Sequence, residues 1–348
     1  MEGIEVKPHN QQEAAESLPL ISETARVTSV EPMDRRRHAD VADAVATLLD
    51  AHDEDHLLES GEWGPDPIDW PQVEAALDPA SGSTLERKVE SLRDRDERPY
   101  PMLVDLRFET EGGFEFQPGQ YVTVRYEDVS RPYSIASSPT AEDTALAIRH
   151  VPDGTLTPML VDADPGHELE IRGPNGEFLL ESPSSRDIVF LATGTGVAPF
   201  KSMIDYTFEE GRDVFEDEER DVWLFLGCAW EDDLPYREAF REYDAERENF
   251  HFVPTLSREE YLSKWDGETD YVQHTLMKYV DESELADDAP VELREFAAMD
   301  PVADRDRRLD PSTMEVYACG LSAMAYGLVD VAESIGVSGR HVHVEGYG

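Results

Sequence analysis

The chain has 348 residues, with 30 Lys+Arg against 77 Asp+Glu and a formal net charge of −47. That length is roughly two ordinary domains, and a 40% hydrophobic content supplies enough apolar material for real cores, which excludes wholesale disorder. A field this negative repels phosphate backbones and anionic headgroups, so nucleic acid and membrane surfaces are excluded as partners.

Only five of the basic residues are lysines (Lys7, Lys88, Lys201, Lys264 and Lys278), and Asp and Glu are spread along the whole chain. An even spread points to solvent adaptation rather than to one cationic partner. In ~1 M salt the Debye length is about 3 Å and the self-repulsion is largely screened, so the composition predicts a halophilic protein. The first ten residues, MEGIEVKPHN, lack the basic start and apolar core of a signal peptide. No run approaches the ~20 apolar residues of a membrane helix. Cys228 and Cys319 have no CxxC companion, so no disulfide framework, zinc site or iron–sulfur site is expected. These features predict a cytoplasmic protein.

In chain order, residues 1–97 are expected to form a small helical extension. Val41, Val45, Leu48 and Leu49 have helical spacing, Val73, Ala76 and Leu77 follow Trp70-Pro71, and Ser83 with Glu86 has capping-box spacing. Arg35 to His38 is the one locally positive cluster of this part, expected to be solvated and available for docking. From 98 to 183 the pattern turns to short alternating strands at 102–108, 120–126, 133–136, 145–151 and 168–172. Gly112-Gly113, Pro118-Gly119, Pro152-Asp153-Gly154 and Pro165-Gly166 separate them, as in an antiparallel barrel. From 184 to 348 buried strands at 188–192, 222–230, 250–256 and 314–318 alternate with helical stretches, which argues for a doubly wound parallel sheet. A charged stretch at about 282–311 is expected to be a surface insertion.

Several segments can carry chemistry. Leu191 to Phe200 (LATGTGVAPF) ends a strand and opens a helix at Pro199, so Gly194 and Gly196 let backbone N–H groups approach a phosphate. On the strand Arg131-Pro-Tyr-Ser134 an arginine can grip a pyrophosphate, an aromatic two positions on can stack on a flat ring, and a hydroxyl can hydrogen-bond it. Asp153 to Thr157 is a second phosphate-type turn. Cys319 lies at the carboxyl end of a sheet strand but has no adjacent histidine, which makes it a poor covalent nucleophile. His341 and His343 share a strand face without a third ligand, so no metal is expected.

In this order the segments resemble the ferredoxin-NADP reductase family over about residues 98–348. Arg131-Pro-Tyr-Ser134 is similar to its R-x-Y-S motif, Gly154 to Thr157 to G-x-x-S/T, and Gly173 to Phe178 to G-P-x-G-x-F. Gly194 to Ser202 is similar to G-T-G-I-A-P-F-R-S, Ser257-Arg-Glu259 to S-R-E, Tyr271-Val-Gln273 to Y-I-Q, Tyr317 to Leu321 to Y-M-C-G-L, and Val344 to Tyr347 to V-E-V-Y. The resemblance implies an FAD-binding barrel followed by an NAD(P)-binding α/β domain, and electron transfer between NADP(H) and a ferredoxin by hydride exchange at the flavin N5. It implies FAD contacts at Arg131, Pro132, Tyr133, Ser134, Arg149, Gly154, Thr155, Leu156, Thr157 and Tyr347. Nucleotide contacts are implied at Gly194, Thr195, Gly196, Val197, Ala198, Pro199, Ser257, Arg258, Tyr271, Gly320 and Leu321. Ser134, Cys319 and Glu345 would flank the hydride path, and Tyr347 would cover one face of the flavin. Thr269 stands where the family often has lysine, and Asp270 follows, which should weaken binding of a 2′-phosphate, whereas Ser257 and Arg258 support it, so NADP(H) is favoured over NAD(H). An NADH-dependent reductase serving an oxygenase, and a non-catalytic flavin sensor, are the alternative readings.

Overall fold

The computed structural model describes residues 7–8, 21–52, 68–285, 289–303 and 308–347. A two-residue strand, β1 (Lys7–Pro8), precedes a twelve-residue strand, β2 (Ile21–Pro32), and three helices follow: α1 (His38–Asp50), α2 (Trp70–Leu77) and α3 (Thr84–Glu97). Next come β3 (Leu103–Thr110), β4 (Tyr121–Tyr126), β5 (Val129–Ser134), β6 (Thr144–Arg149), the short helix α4 (Thr157–Val161) and β7 (Glu168–Asn175). Strands β5-β4-β7-β2-β3-β6 pair in that order, antiparallel throughout. An antiparallel bridge between Ile135 and Leu146 nearly closes the sheet into a barrel.

Strand β2 corrects the expectation that residues 1–97 are wholly a helical extension. It lies between β7 and β3 in the middle of the barrel sheet, and Ala25 and Val27 are fully buried in the barrel core. The helices are therefore an insertion between two adjacent barrel strands. Their buried faces, Val41, Val45 and Leu49 on α1, Trp70, Val73 and Leu77 on α2 and Val89 and Leu92 on α3, form a core of their own. Both helix starts use the expected chemistry: the Asp69 carboxylate accepts the Gln72 N–H at 3.1 Å, and Ser83 Oγ accepts the Glu86 N–H at 3.0 Å while Glu86 reaches back to the Gly82 N–H.

The strand expected at 133–136 is found at 129–134. Glu127 takes a positive φ of 51° and makes a two-residue turn that pairs Tyr126 with Val129, a turn that a Glu-Asp pair does not advertise.

The second domain contains β8 (Asp187–Thr193), α5 (Ala198–Glu209), the hairpin β9 (Val214–Phe215) and β10 (Glu218–Glu219), β11 (Val222–Cys228), α6 (Arg237–Glu246) and β12 (Phe250–Leu256). It continues with α7 (Val272–Tyr279), α8 (Val291–Ala297), β13 (Met314–Leu321), α9 (Ser322–Ile335) and β14 (Val342–Tyr347). Six parallel strands run β1-β14-β13-β8-β11-β12. Apolar clusters cover both faces, which explains the unbroken apolar runs of strands such as β11. The chain reverses direction across the sheet between β8 and β13, so a crevice is expected outside their carboxyl ends, at Gly194 and Gly320. The 282–311 stretch is anchored in this domain: Leu285, Ala289, Leu293 and Leu309 are buried in its core. No helix among the described residues is long and apolar enough to cross a membrane.

The two domains meet tightly at Gly119. It has φ +102°, and a Cβ there would lie 1.9 Å from the Phe178 carbonyl oxygen and 2.5 Å from Met203 Cε, on α5 of the other domain. Gly119→Ala combines a left-handed conformation with a backbone clash, so it is expected to cost about 3 kcal/mol or more. A thermal melt checks this, and an unchanged midpoint would contradict it.

Candidate active site

Strand β5 presents the expected chemistry at the edge of the barrel. Arg131 is exposed, Tyr133 and Ser134 are half-buried, and the two-residue strand period puts Arg131 and Tyr133 on one side. The Arg131 guanidinium donates from Nη1 to the Ser130 carbonyl at 2.8 Å. Burial pushes the Tyr133 phenol up to about 12, against the opposing effect of Arg131. The ring is thus a neutral, partly dry surface beside a cation.

The 151–157 turn is closed by its own bonds. The Gly154 N–H donates to Val151 O at 2.8 Å, and Thr157 Oγ1 accepts the Val151 N–H at 2.9 Å. Thr155 is exposed there, whereas Leu156 is 3% exposed and belongs to the barrel core. Arg149, exposed at the end of β6, is close enough for its charge to act on Cys228 at the end of β11.

In the sheet crevice Gly194 opens a tight turn, Gly194–Val197, ahead of α5, with a φ of 52° and no atom within 4 Å of where a Cβ would be. That open backbone at a helix start suits a phosphate. The side chains of Val197, Ala198 and Pro199 point elsewhere: they are buried, so these residues can offer a ligand only backbone. Thr195 is half-buried.

Parallel pairing of β13 with β14 places Cys319 directly beside Glu345. Both are fully buried, and the thiol donates from Sγ to Glu345 Oε2 at 3.9 Å. Burial first, and the adjacent carboxylate second, hold the Cys319 thiol well above the ordinary thiol range, so it stays protonated. The barrel reaches the same point through Tyr121, a residue the sequence did not single out. Tyr121 is the cross-strand partner of Ser134, and burial together with the charge of Glu345 raises its phenol. The charge of Glu345 on β14 is thus felt at Tyr121 on the barrel, across the sheet pair from Ser134. Gly320 is buried and pairs with Gly346; the side chains of Leu321 and Tyr347 lie outside the described residues.

The third group lies beyond β12. Ser257 and Arg258 are exposed, and their N–H groups donate to Cys228 O at 3.1 Å and Ala229 O at 3.0 Å. Tyr271 is 72% exposed at the start of α7. Asp270, the anion that the sequence sets against a 2′-phosphate, is paired with Lys278 at 2.6 Å, and Lys278 also reaches Glu268 at 2.7 Å. Lys278, near the end of α7, therefore neutralises Asp270.

The Arg35 to His38 cluster is a solvated patch only in part: Arg35 and Arg36 are exposed, and Arg37 is buried. The Arg37 side chain is 2% exposed and its Nη1 lies 2.8 Å from the buried Glu259 carboxylate, while Arg35 remains in solvent beside Asp40 at 3.6 Å. Charge patterning along a sequence cannot distinguish a solvated arginine from one whose acceptor is some 220 residues away.

An exposed arginine, a half-buried aromatic plane and a hydroxyl on one strand of the barrel, and a glycine turn at a helix start in the second domain, fit a flavin and a dinucleotide. Comparison with known proteins agrees. Residues 102–179 match the oxidoreductase FAD-binding domain and residues 190–330 the oxidoreductase NAD-binding domain. Ferredoxin--NADP reductase B of Sorangium cellulosum is 30% identical over 255 residues, 71% of this chain and 92% of the relative. Protein RfbI of Salmonella typhimurium is 30% identical over 187 residues, and the matched part spans about half of each protein, 53% of this chain and 54% of RfbI. Among solved structures, the Amycolatopsis cytochrome P450 reductase GcoB shares the fold with a TM-score of 0.61 at 19% identity, covering 95% of this chain and 71% of that one. A Neisseria gonorrhoeae ferredoxin NADP+ reductase with bound FAD and NADP has a TM-score of 0.54 at 19% identity, covering 71% and 93%. The chain belongs to the ferredoxin-NADP reductase family of flavoprotein oxidoreductases, with an FAD-binding barrel and an NAD(P)-binding α/β domain.

Proposed function

We propose that the protein transfers electrons between NADP(H) and a ferredoxin-type one-electron carrier, with FAD held on the barrel. The observation that carries this reading is the buried Cys319–Glu345 pair at the carboxyl end of β13 and on β14, whose carboxylate charge acts on the phenol of Tyr121, the cross-strand partner of Ser134 on the barrel. Flavin exchanges two electrons as hydride with a nicotinamide and single electrons with an iron–sulfur partner. The protein's part is to hold the reacting atoms in register and exclude water. Arg131 grips the pyrophosphate, Tyr133 supplies a stacking plane, and Ser134 offers a hydroxyl to the reacting edge of the ring. Cys319 gives a small uncharged wall, and Glu345 Oε2 is the buried acceptor through which a proton can move. Gly194 to Pro199 present backbone to the dinucleotide phosphates. Arg258 and Ser257 favour the 2′-phosphate of NADP(H), with Asp270 neutralised by Lys278.

The free thiols of Cys228 and Cys319 suit a reducing cytoplasm, and the −47 charge suits a salt-rich one. A carrier from the same compartment would share that acidity. NADPH-driven reduction of an acidic [2Fe–2S] ferredoxin is therefore expected to speed up from low to molar KCl as repulsion is screened. A steep fall over that range, or no ferredoxin reduction at any salt, would contradict the proposal.

A further inference from the structure

The helical insertion grows out of the barrel but is bound by charge to the other domain. Arg37, just ahead of α1, points Nη1 at both oxygens of Glu259, at 2.8 and 2.9 Å, and lies 3.5 Å from Asp232 Oδ1. Arg95 on α3 reaches Asp232 Oδ2 at 2.6 Å, and Arg98 reaches Asp233 Oδ1 at 2.7 Å. The three arginine side chains are 2%, 3% and 12% exposed, and the acceptors Glu259, Asp232 and Asp233 are 0%, 1% and 4% exposed. Those acceptors occupy the loops that follow β11 and β12, at the carboxyl ends of the strands where α/β domains bind their ligands. Glu259 Oε2 also accepts the Glu231 N–H at 2.8 Å, tying the two loops together.

Glu259 follows Arg258 directly in the chain. A buried carboxylate without its cation would turn toward water, and it would carry Ser257 and Arg258 with it. We propose that Arg37 is a positioning residue that fixes the Ser257-Arg258 loop through Glu259, so that the helical insertion sets the preference for NADP(H) over NAD(H). This rests on the assignment of Ser257 and Arg258 to the 2′-phosphate.

The test measures binding of 2′-phospho-AMP and of AMP, which differ only in that phosphate, to the flavin-loaded protein, alongside KM for NADPH and NADH. In Arg37→Lys, which keeps a charge but cannot hold Asp40 through Nε and Glu259 through Nη1 at once, affinity for 2′-phospho-AMP is expected to fall about tenfold. AMP affinity and bound flavin should stay near wild type, and the NADPH-to-NADH ratio of KM should rise in step. Glu259→Gln leaves Arg37 with Asp40 and Asp232 as partners, so it folds on safer terms and is expected to shift the ratio in the same direction. Arg95→Lys is the control, since it weakens an equally buried pair on the neighbouring loop. A shift of equal size in Arg95→Lys, or equal losses for 2′-phospho-AMP and AMP in Arg37→Lys and Glu259→Gln, would reduce Arg37 to a structural prop and overturn the inference. Arg258→Ala separates the two levels of the reading. If it leaves 2′-phospho-AMP binding intact, the 2′-phosphate assignment itself fails. If it weakens binding while the Arg37 and Glu259 variants do not, only the positioning role fails.

Discussion

Replacing Arg131 by alanine is expected to strip flavin from the protein while leaving the barrel folded. The guanidinium is exposed, and its described hydrogen bond is to the carbonyl of its own neighbour, Ser130, so the barrel core does not depend on it. Its role is toward the anion it would meet. A charge-assisted contact of this kind is worth about 1.5–3 kcal/mol, which corresponds to a rise of roughly ten- to a hundredfold in the FAD dissociation constant. Equilibrium dialysis against free FAD reads this directly, with a thermal melt of the flavin-free protein as the check on folding. Wild-type FAD affinity in Arg131→Ala would remove the strand from the flavin site.

The second large effect is expected in chemistry rather than in binding. Ser134→Ala and Glu345→Gln should each slow flavin bleaching by NADPH about a hundredfold, the scale of losing a positioned hydrogen-bond donor or proton-transfer group, with FAD still bound. Both substitutions conserve shape. Glu345→Gln also avoids leaving a hole beside Cys319, so a fall in rate would not arise from collapse of the crevice. Single-turnover measurements by stopped flow separate this step from product release. Bleaching within twofold of wild type in both variants would mean that the meeting point of the two domains is not where the nicotinamide reacts.

The residues differ in how openly the sequence declares their roles, for physical reasons. The parallel strands are legible because burial on both faces forces continuous apolar runs, as in Val222 to Leu226. Strand β2 is hidden because it contributes Ala25 and Val27 to the core within a run of Ser, Glu, Thr and Arg, and because a helical insertion separates it from β3, with which it pairs. The pairing of Cys319 with Glu345 follows from the register of two strands 26 residues apart, which no local pattern encodes. Tyr121 escapes for the same reason, since its significance comes from Ser134 across the hairpin and Glu345 across the domain boundary. Arg37 is the extreme case. Its sequence neighbours Arg35 and Arg36 make it look like part of a solvated patch, but its partners Asp232 and Glu259 lie in the other domain. Short-range motifs thus single out the glycine turns, whereas the charge network beside them needed the fold.

Salt is expected to act differently on the surface and on this network. Surface acidity is screened in molar salt, but the pairs of Arg37, Arg95 and Arg98 are shielded by burial and are screened much less. The insertion should therefore keep its hold on the nucleotide loops under the conditions in which the surface charge is neutralised.

The central claim is tested most directly by anaerobic titration of the purified, flavin-loaded protein in molar salt, following loss of the flavin absorbance with NADPH and separately with NADH. The account predicts rapid and complete bleaching by NADPH and slow or weak bleaching by NADH. Preferential bleaching by NADH, or none by either nucleotide, would contradict it.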